Sequence, residues 1–118
     1  MTTTETAASG LLDQQRLECI RSCGECAAAC EACAKVCAQA GDKAMAECIQ
    51  LCLDCATLCL GCIPLLARES ASYKELCRLC ADLCERCAAE CERYDDAKMR
   101  ACAAACRQTA QVCRQMAS

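Results

Sequence analysis

The sequence predicts an all-α protein, an antiparallel up-down-up-down four-helix bundle with a cysteine-lined core. Three observations carry this. Cysteines recur at alternating steps of three and four through four separate segments, strong helix formers dominate each segment, and short punctuated links separate them. At 118 residues the chain has the size of one ordinary domain, with room for one core.

The punctuation comes first. Gly41 followed by Asp42 reads as a helix stop and a new N-cap, and Pro64 reads as the close of the segment before it. Ser72 and Glu75 have the form of a capping box, and Asp95 with Asp96 offers an N-cap to the last segment. These marks place helices over Leu11–Ala40, Asp42–Ile63, Ser72–Tyr94 and Asp96–Met116. Residues 1–10 are expected to be a disordered tail, and residues 11–118 the single bundle domain.

The first segment carries Cys19, Cys23, Cys26, Cys30, Cys33 and Cys37, and the second Cys48, Cys52, Cys55, Cys59 and Cys62. The third carries Cys77, Cys80, Cys84, Cys87 and Cys91, and the fourth Cys102, Cys106 and Cys113. A step of three then four is the a/d seam of a bundled helix, so each segment shows one cysteine face and all four faces must point inward. Short links at Gly41 and Asp95 make neighbouring helices antiparallel. Cys is a small hydrophobe and could merely pack a core. A packing core, however, draws on Leu, Ile and Val for volume, whereas this seam is almost pure Cys, with Phe and Trp absent from the chain.

Two cysteines four apart on a helix share a face with Cβ atoms about 5 to 6 Å apart, close enough for both sulfurs to meet one soft metal ion. Such pairs begin at Cys19, Cys26, Cys33, Cys48, Cys55, Cys80, Cys87 and Cys102. Charge separates the candidate metals. Buried thiolates cost several kcal/mol each unless neutralised, and one Cu(I) per thiolate leaves a neutral core. Zn(II) in a four-thiolate site keeps two negative charges, and Zn(II) or Cd(II) fits less well. Iron–sulfur motifs place their cysteines on loops, not in regular helices. Catalysis has no support, since the chain has no His to act as a base and no thiol stands apart from the ladder.

Segments such as CGECAAACEACAKVC, CLDCATLCLGC, CRLCADLCERCAAEC and CAAAC resemble the bacterial copper storage proteins, specifically their cytosolic branch, from Leu11 onward. The resemblance implies a four-helix bundle assembled as a homotetramer, folded without metal, whose reduced cysteines bind many Cu(I) ions mainly through CxxxC pairs. The function it implies is high-capacity Cu(I) storage or buffering without turnover. The alternatives are metallothionein-like sequestration of Zn or Cd, and a chaperone delivering copper to one partner. Two features depart from the family pattern. The His common near the open end of the bundle is missing, and Thr109 interrupts the ladder between Cys106 and Cys113, so one or two fewer copper positions are expected in that layer.

The two bundle ends differ. Leu17, Ile20, Ile63, Leu65, Leu66, Tyr73, Leu76, Val112 and Met116 collect at one end as an apolar plug. Cys37, Met45, Cys48, Cys91, Tyr94, Met99 and Cys102 collect at the other. Extending the ladders by one step of three lands on Met45 and Met99, whose thioethers suit Cu(I) better than Zn(II) and are candidates to admit it. The second segment has a further apolar stripe of Ile49, Leu53, Ala56, Leu60 and Ile63, which predicts a subunit interface near Leu53 and Leu60.

A net charge of -3 with acidic and basic residues intermixed argues against nucleic acid. No run is expected to reach the roughly 18 apolar residues of a membrane span, so no membrane partner is expected. The opening MTTTETAASG has neither the basic nor the apolar region of a secretory signal. A cytoplasmic location, where thiols stay reduced, is therefore expected.

Overall fold

Each long helix starts or stops where a backbone group left over at its end can be satisfied. Asp13 accepts a hydrogen bond from the Arg16 N–H at 2.9 Å and opens α1, Gln14–Ala40. Gly41 closes α1 in the left-handed conformation at φ 67°, where a side chain would be strained. Asp42 caps a single 3-10 turn, Lys43–Met45, by accepting from the Ala44 N–H, and α2 follows over Ala46–Ala67. α3 spans Tyr73–Cys91, and α4 spans Ala97–Ala117 with Asp96 accepting from the Met99 N–H at 2.9 Å. This is a computed structural model, and it describes residues 7–118. Of the tail expected over residues 1–10, residues 1–6 lie outside the described residues, and Ala7–Gly10 form a 3-10 turn ahead of α1.

Two boundary expectations need correction. Pro64 does not close the second helix, which runs through it to Ala67. Proline removes one N–H from the ladder, and here both Pro64 and Leu60, whose carbonyl loses its partner, are exposed, where water can take that bond. The true stop is a Schellman turn: Glu69 is left-handed at φ 54°, the Ser70 N–H donates to the Leu65 carbonyl and the Glu69 N–H to that of Leu66. The capping box also fails to form. Ser72 makes no side-chain cap, because its backbone (φ −94°, ψ 2°) is not extended as a cap requires, and it is the Ser70 hydroxyl that accepts from the Ser72 N–H.

Among the described residues the four α-helices form a closed ring, in which α1 packs on α2 and α4, and α3 packs on α2 and α4. Small residues set the spacing. Ala27 and Ala34, Ala81 and Ala88, and Ala103 and Ala110 are buried pairs seven apart beside the cysteine seam. With only methyl groups at these positions the backbones approach closely enough for short thiol side chains to fill the centre. Outside, Arg114 bridges α4 to Glu85 (2.9 Å) and Asp82 (2.8 Å) of α3, and Arg107 pairs with Glu92 at 2.7 Å.

By length and composition the segment Lys43–Ala67 is apolar enough to cross a membrane, contrary to the expectation that no run would be. Its apolar content has two origins: the cysteine face, which is buried in the bundle, and the leucines on its outer side.

Candidate metal centre

The same ring places all 19 cysteines inside, each buried and each a free thiol. Their Sγ atoms form a continuous column. At the plugged end Cys113 lies 3.9 Å from both Cys19 and Cys23. Further along, Cys59 is 3.7 Å from Cys80 and 3.9 Å from Cys84, and Cys55 is 3.4 Å from Cys84. In the middle Cys106 is 3.7 Å from both Cys26 and Cys30, and Cys30 is 3.9 Å from Cys102. Towards the other end Cys91 lies 3.9 Å from Cys33, 3.8 Å from Cys48 and 4.0 Å from Cys52, while Cys52 is 3.7 Å from Cys87. Cys37 and Cys48 end the column 3.5 Å apart.

These approaches run chiefly between helices. Within one helix, Cys26–Cys30 at 4.0 Å and Cys80–Cys84 at 3.9 Å are close, but the groups able to surround an ion draw on three or four helices. Cys33, Cys52, Cys91 and Cys102 come one from each helix, and all four sulfurs lie within 4.8 Å of one another. Cys26, Cys30, Cys55 and Cys106 form another such group, and Cys30, Cys87, Cys102 and Cys106 a third that shares two of its sulfurs. Shared sulfurs allow one thiolate to bridge two ions. Cys62 and Cys77 lie buried by the plug, Cys77 within the group Cys19, Cys77 and Cys113.

So many thiols at van der Waals distance cannot ionise independently. Cys102 is held well below the ordinary thiol range by hydrogen bonds from Cys106 and Cys30, and both of those are pushed up, Cys102 being the leading cause for each. Cys55 is likewise lowered, first by Cys106, and Cys80 is lowered, first by Cys113. A thiolate in the column is thus stabilised where neighbouring S–H groups donate to it. No Lys or Arg is buried among the described residues to balance their charge.

Thr109 sits in the column's wall, 1% exposed, with its hydroxyl turned to α1. The residues expected at the two bundle ends gather there, except that Leu65 lines a groove on the outside beside Leu79. At the plug Leu66 is fully buried, Leu17, Val112 and Met116 are buried, and Arg16 stacks 4.6 Å from the Tyr73 ring while donating to the Leu66 carbonyl. At the far end Met99 is 1% exposed and Met45 is half-buried against the core. A brace not foreseen from sequence surrounds them. The Tyr94 hydroxyl lies 3.2 Å from both the Ala44 carbonyl and Glu90, whose buried carboxylate accepts two hydrogen bonds from Arg93.

The sequence model of the family described as "Copper storage protein" matches residues 12–118. The chain belongs to the copper storage protein family. Among solved members it is similar to a Cu(I)-bound copper storage protein, BsCsp3, with 36% identity, a TM-score of 0.82, and coverage of 89% of this chain and 100% of that one. It is similar to apo-Csp3 from Bacillus subtilis at 38% identity and a TM-score of 0.78, covering 85% and 96% of the two chains. It is also similar to Ccsp from Streptomyces lividans, solved loaded with 10 copper equivalents, at 30% identity and a TM-score of 0.82, covering 98% and 92%. Among curated protein sequences none matches this chain. The copper storage bundle thus accounts for the fold and for the thiol column together.

Proposed function

We propose that this protein stores or buffers Cu(I) at high capacity in the cytoplasm, binding many ions along the thiol column without chemical turnover. One observation carries the reading: a continuous run of buried thiols with no buried cation among the described residues to neutralise their thiolates. Spacing alone does not select the metal, since a tetrahedral zinc with Zn–S bonds of about 2.3 Å also sets sulfurs about 3.8 Å apart. Charge does. Each Cu(I) that displaces one thiol proton leaves the interior no more charged than before, whereas filling the column with Zn(II) four-thiolate sites accumulates two negative charges per ion.

In this reading all 19 cysteines are ligands, and Met45 and Met99 form a thioether site at the open end that admits Cu(I) in place of the missing His. The protein works as a homotetramer. Leu53 and Leu60 on α2 are 41% and 54% exposed, Leu79 on α3 is 52% exposed, and Leu65 and Leu76 line a groove beside Leu79. Ile49 and Ile63 are half-buried at the edge of this face, while Ala56 packs inside the core and leaves the predicted stripe.

Anaerobic titration of the reduced protein with Cu(I) and, separately, with Zn(II) tests the proposal. Storage requires many Cu(I) per chain with the helical fold retained. Saturation at one or two Cu(I) per chain would defeat it in favour of a chaperone, and tighter, more numerous Zn(II) binding would favour sequestration of Zn or Cd.

A further inference from the structure

Resting on the Cu(I) storage reading, we propose a second entrance to the thiol column, in the flank of the bundle between α1 and α4, that accepts Cu(I) from a small anionic thiol complex. A cavity of about 240 Å³ opens there, walled by Ala29, Ala32, Val36, Lys98 and Ala101 and reaching Cys33 and Cys102. Those two are the most exposed cysteines of the chain at 2% each, and both meet the same cavity. The window is separate from the end that carries Met45 and Met99, and the apolar plug closes the opposite end.

The window has a physical origin. Ala32 and Ala101 are exposed residues on facing helices whose methyl groups do not reach across the groove, so a gap remains that longer side chains would cover. What lies at its floor is a place to receive metal. Cys33 and Cys102 belong to the four-thiol group with Cys52 and Cys91, so an ion arriving there is already within reach of α1, α2, α3 and α4 together. From that group the column continues in both directions, through Cys30, 3.9 Å from Cys102, and through Cys48, 3.8 Å from Cys91.

The chemistry is ligand exchange without redox change. A carrier complex of one Cu(I) and two thiolates meets the sulfurs of Cys33 and Cys102. Two copper–sulfur bonds to the carrier break and two to the protein form, each proton that these cysteines hold passes to a departing carrier thiolate, any carrier sulfur that receives none leaves as its thiolate, and copper stays Cu(I), with charge and atoms conserved. Lys98 fixes the class of carrier. It lies on the rim with no ion pair among the described residues, and a cation beside an apolar window favours an anionic complex.

Anaerobic stopped-flow transfer of Cu(I) from its glutathione complex to the reduced apo protein tests the entrance. The variant Ala32→Leu/Ala101→Leu covers the window from outside the core. It is expected to load severalfold more slowly from this complex and to reach the wild-type number of coppers. Lys98→Glu, a surface change that leaves the packing intact, is expected to slow loading from the anionic complex by about tenfold at low salt, with little effect at high salt. Wild-type rates in both variants at unchanged final stoichiometry would overturn the flank entrance. Failure of the storage reading gives a different result, a low copper number in the unmodified protein. Circular dichroism checks that the double variant is folded, and Lys98→Glu decides the matter alone if it is not.

Discussion

The hydroxyls of Thr109 and Ser22 lie 2.7 Å apart, and Thr109 also donates to the Ser22 carbonyl at 3.1 Å. The position where the ladder of α4 lacks a thiol is thus a polar clasp between α4 and α1, turned away from the column. Two consequences separate the clasp from the missing ligand. Thr109→Val keeps the shape and removes the donor, and should cost about 1 kcal/mol in urea unfolding without changing copper capacity. Thr109→Cys should raise the Cu(I) count at saturation, because a thiol has no need of the Ser22 clasp and can rotate into the seam that runs from Cys106 to Cys113. An unchanged count in Thr109→Cys would show that this layer is limited by something other than its sulfur number.

Losing Cys106 should cost more bound copper than losing Cys37. It stands 3.7 Å from both Cys26 and Cys30 and belongs to two overlapping four-thiol groups, whereas Cys37, at the end of the column, has one close partner in Cys48. Cys106→Ser is expected to remove more bound Cu(I) than Cys37→Ser, both being near-isosteric changes that spare the fold. Mass spectrometry of the loaded proteins under native conditions reads the difference. Equal losses would mean that copper positions are local pairs within a helix and not shared groups between helices.

How far this was legible in the sequence varies by feature. The cysteine seam, the four segments and the buried face of each helix follow from a period that only one backbone geometry satisfies, and they hold in the structure. Helix ends were less legible where the chain breaks its own rules. α2 passes through Pro64 and stops at a left-handed Glu69, a position for which sequence gives the signal of a Gly or not at all. Local spacing suggested pairs within a helix, and Cys26–Cys30 and Cys80–Cys84 are such pairs, but most of the close approaches run between helices, which depends on how near the backbones come. The alanines seven apart carried that information. The Tyr94–Glu90 brace and the flank window arise from tertiary placement alone.

Replacing Met45 and Met99 with Leu should slow loading from a weakly held Cu(I) source, such as its acetonitrile complex, while leaving most of the capacity in place. Leu matches Met in volume, so Met99, 1% exposed, can be exchanged without a cavity, at a stability cost below about 1.5 kcal/mol. Stopped-flow loading decides: wild-type kinetics in the double variant would remove the thioethers from the path and leave them as core filler.

The exposed leucines on α2 make a separate prediction. Leu53→Glu/Leu60→Glu places charges on side chains that are 41% and 54% exposed within one chain, so an isolated subunit should tolerate them. In a tetramer they would be buried. Native mass should therefore fall while helicity remains. A tetramer of unchanged mass would move the interface elsewhere.

Copper uptake should release protons unevenly. Metal binding needs thiolates, so the bound form holds fewer protons than the apo form, and the apparent affinity must rise with pH and fall on acidification. The thiols of the column do not give up their protons equally readily. Cys102, Cys55 and Cys80 lie well below the ordinary thiol range, held there first by hydrogen bonds from Cys106, Cys106 and Cys113 respectively, while Cys30 and Cys59 are pushed up, first by Cys102 and Cys23. The first ions should settle on the thiolates and free few protons. Later ions must displace protons from the raised thiols and free more. An anaerobic Cu(I) titration in weak buffer, followed with a pH indicator, should show proton release per copper climbing as the column fills. A constant release from the first ion to the last would mean that the apo interior holds only neutral thiols, and that the hydrogen-bonded thiolates form only when copper arrives.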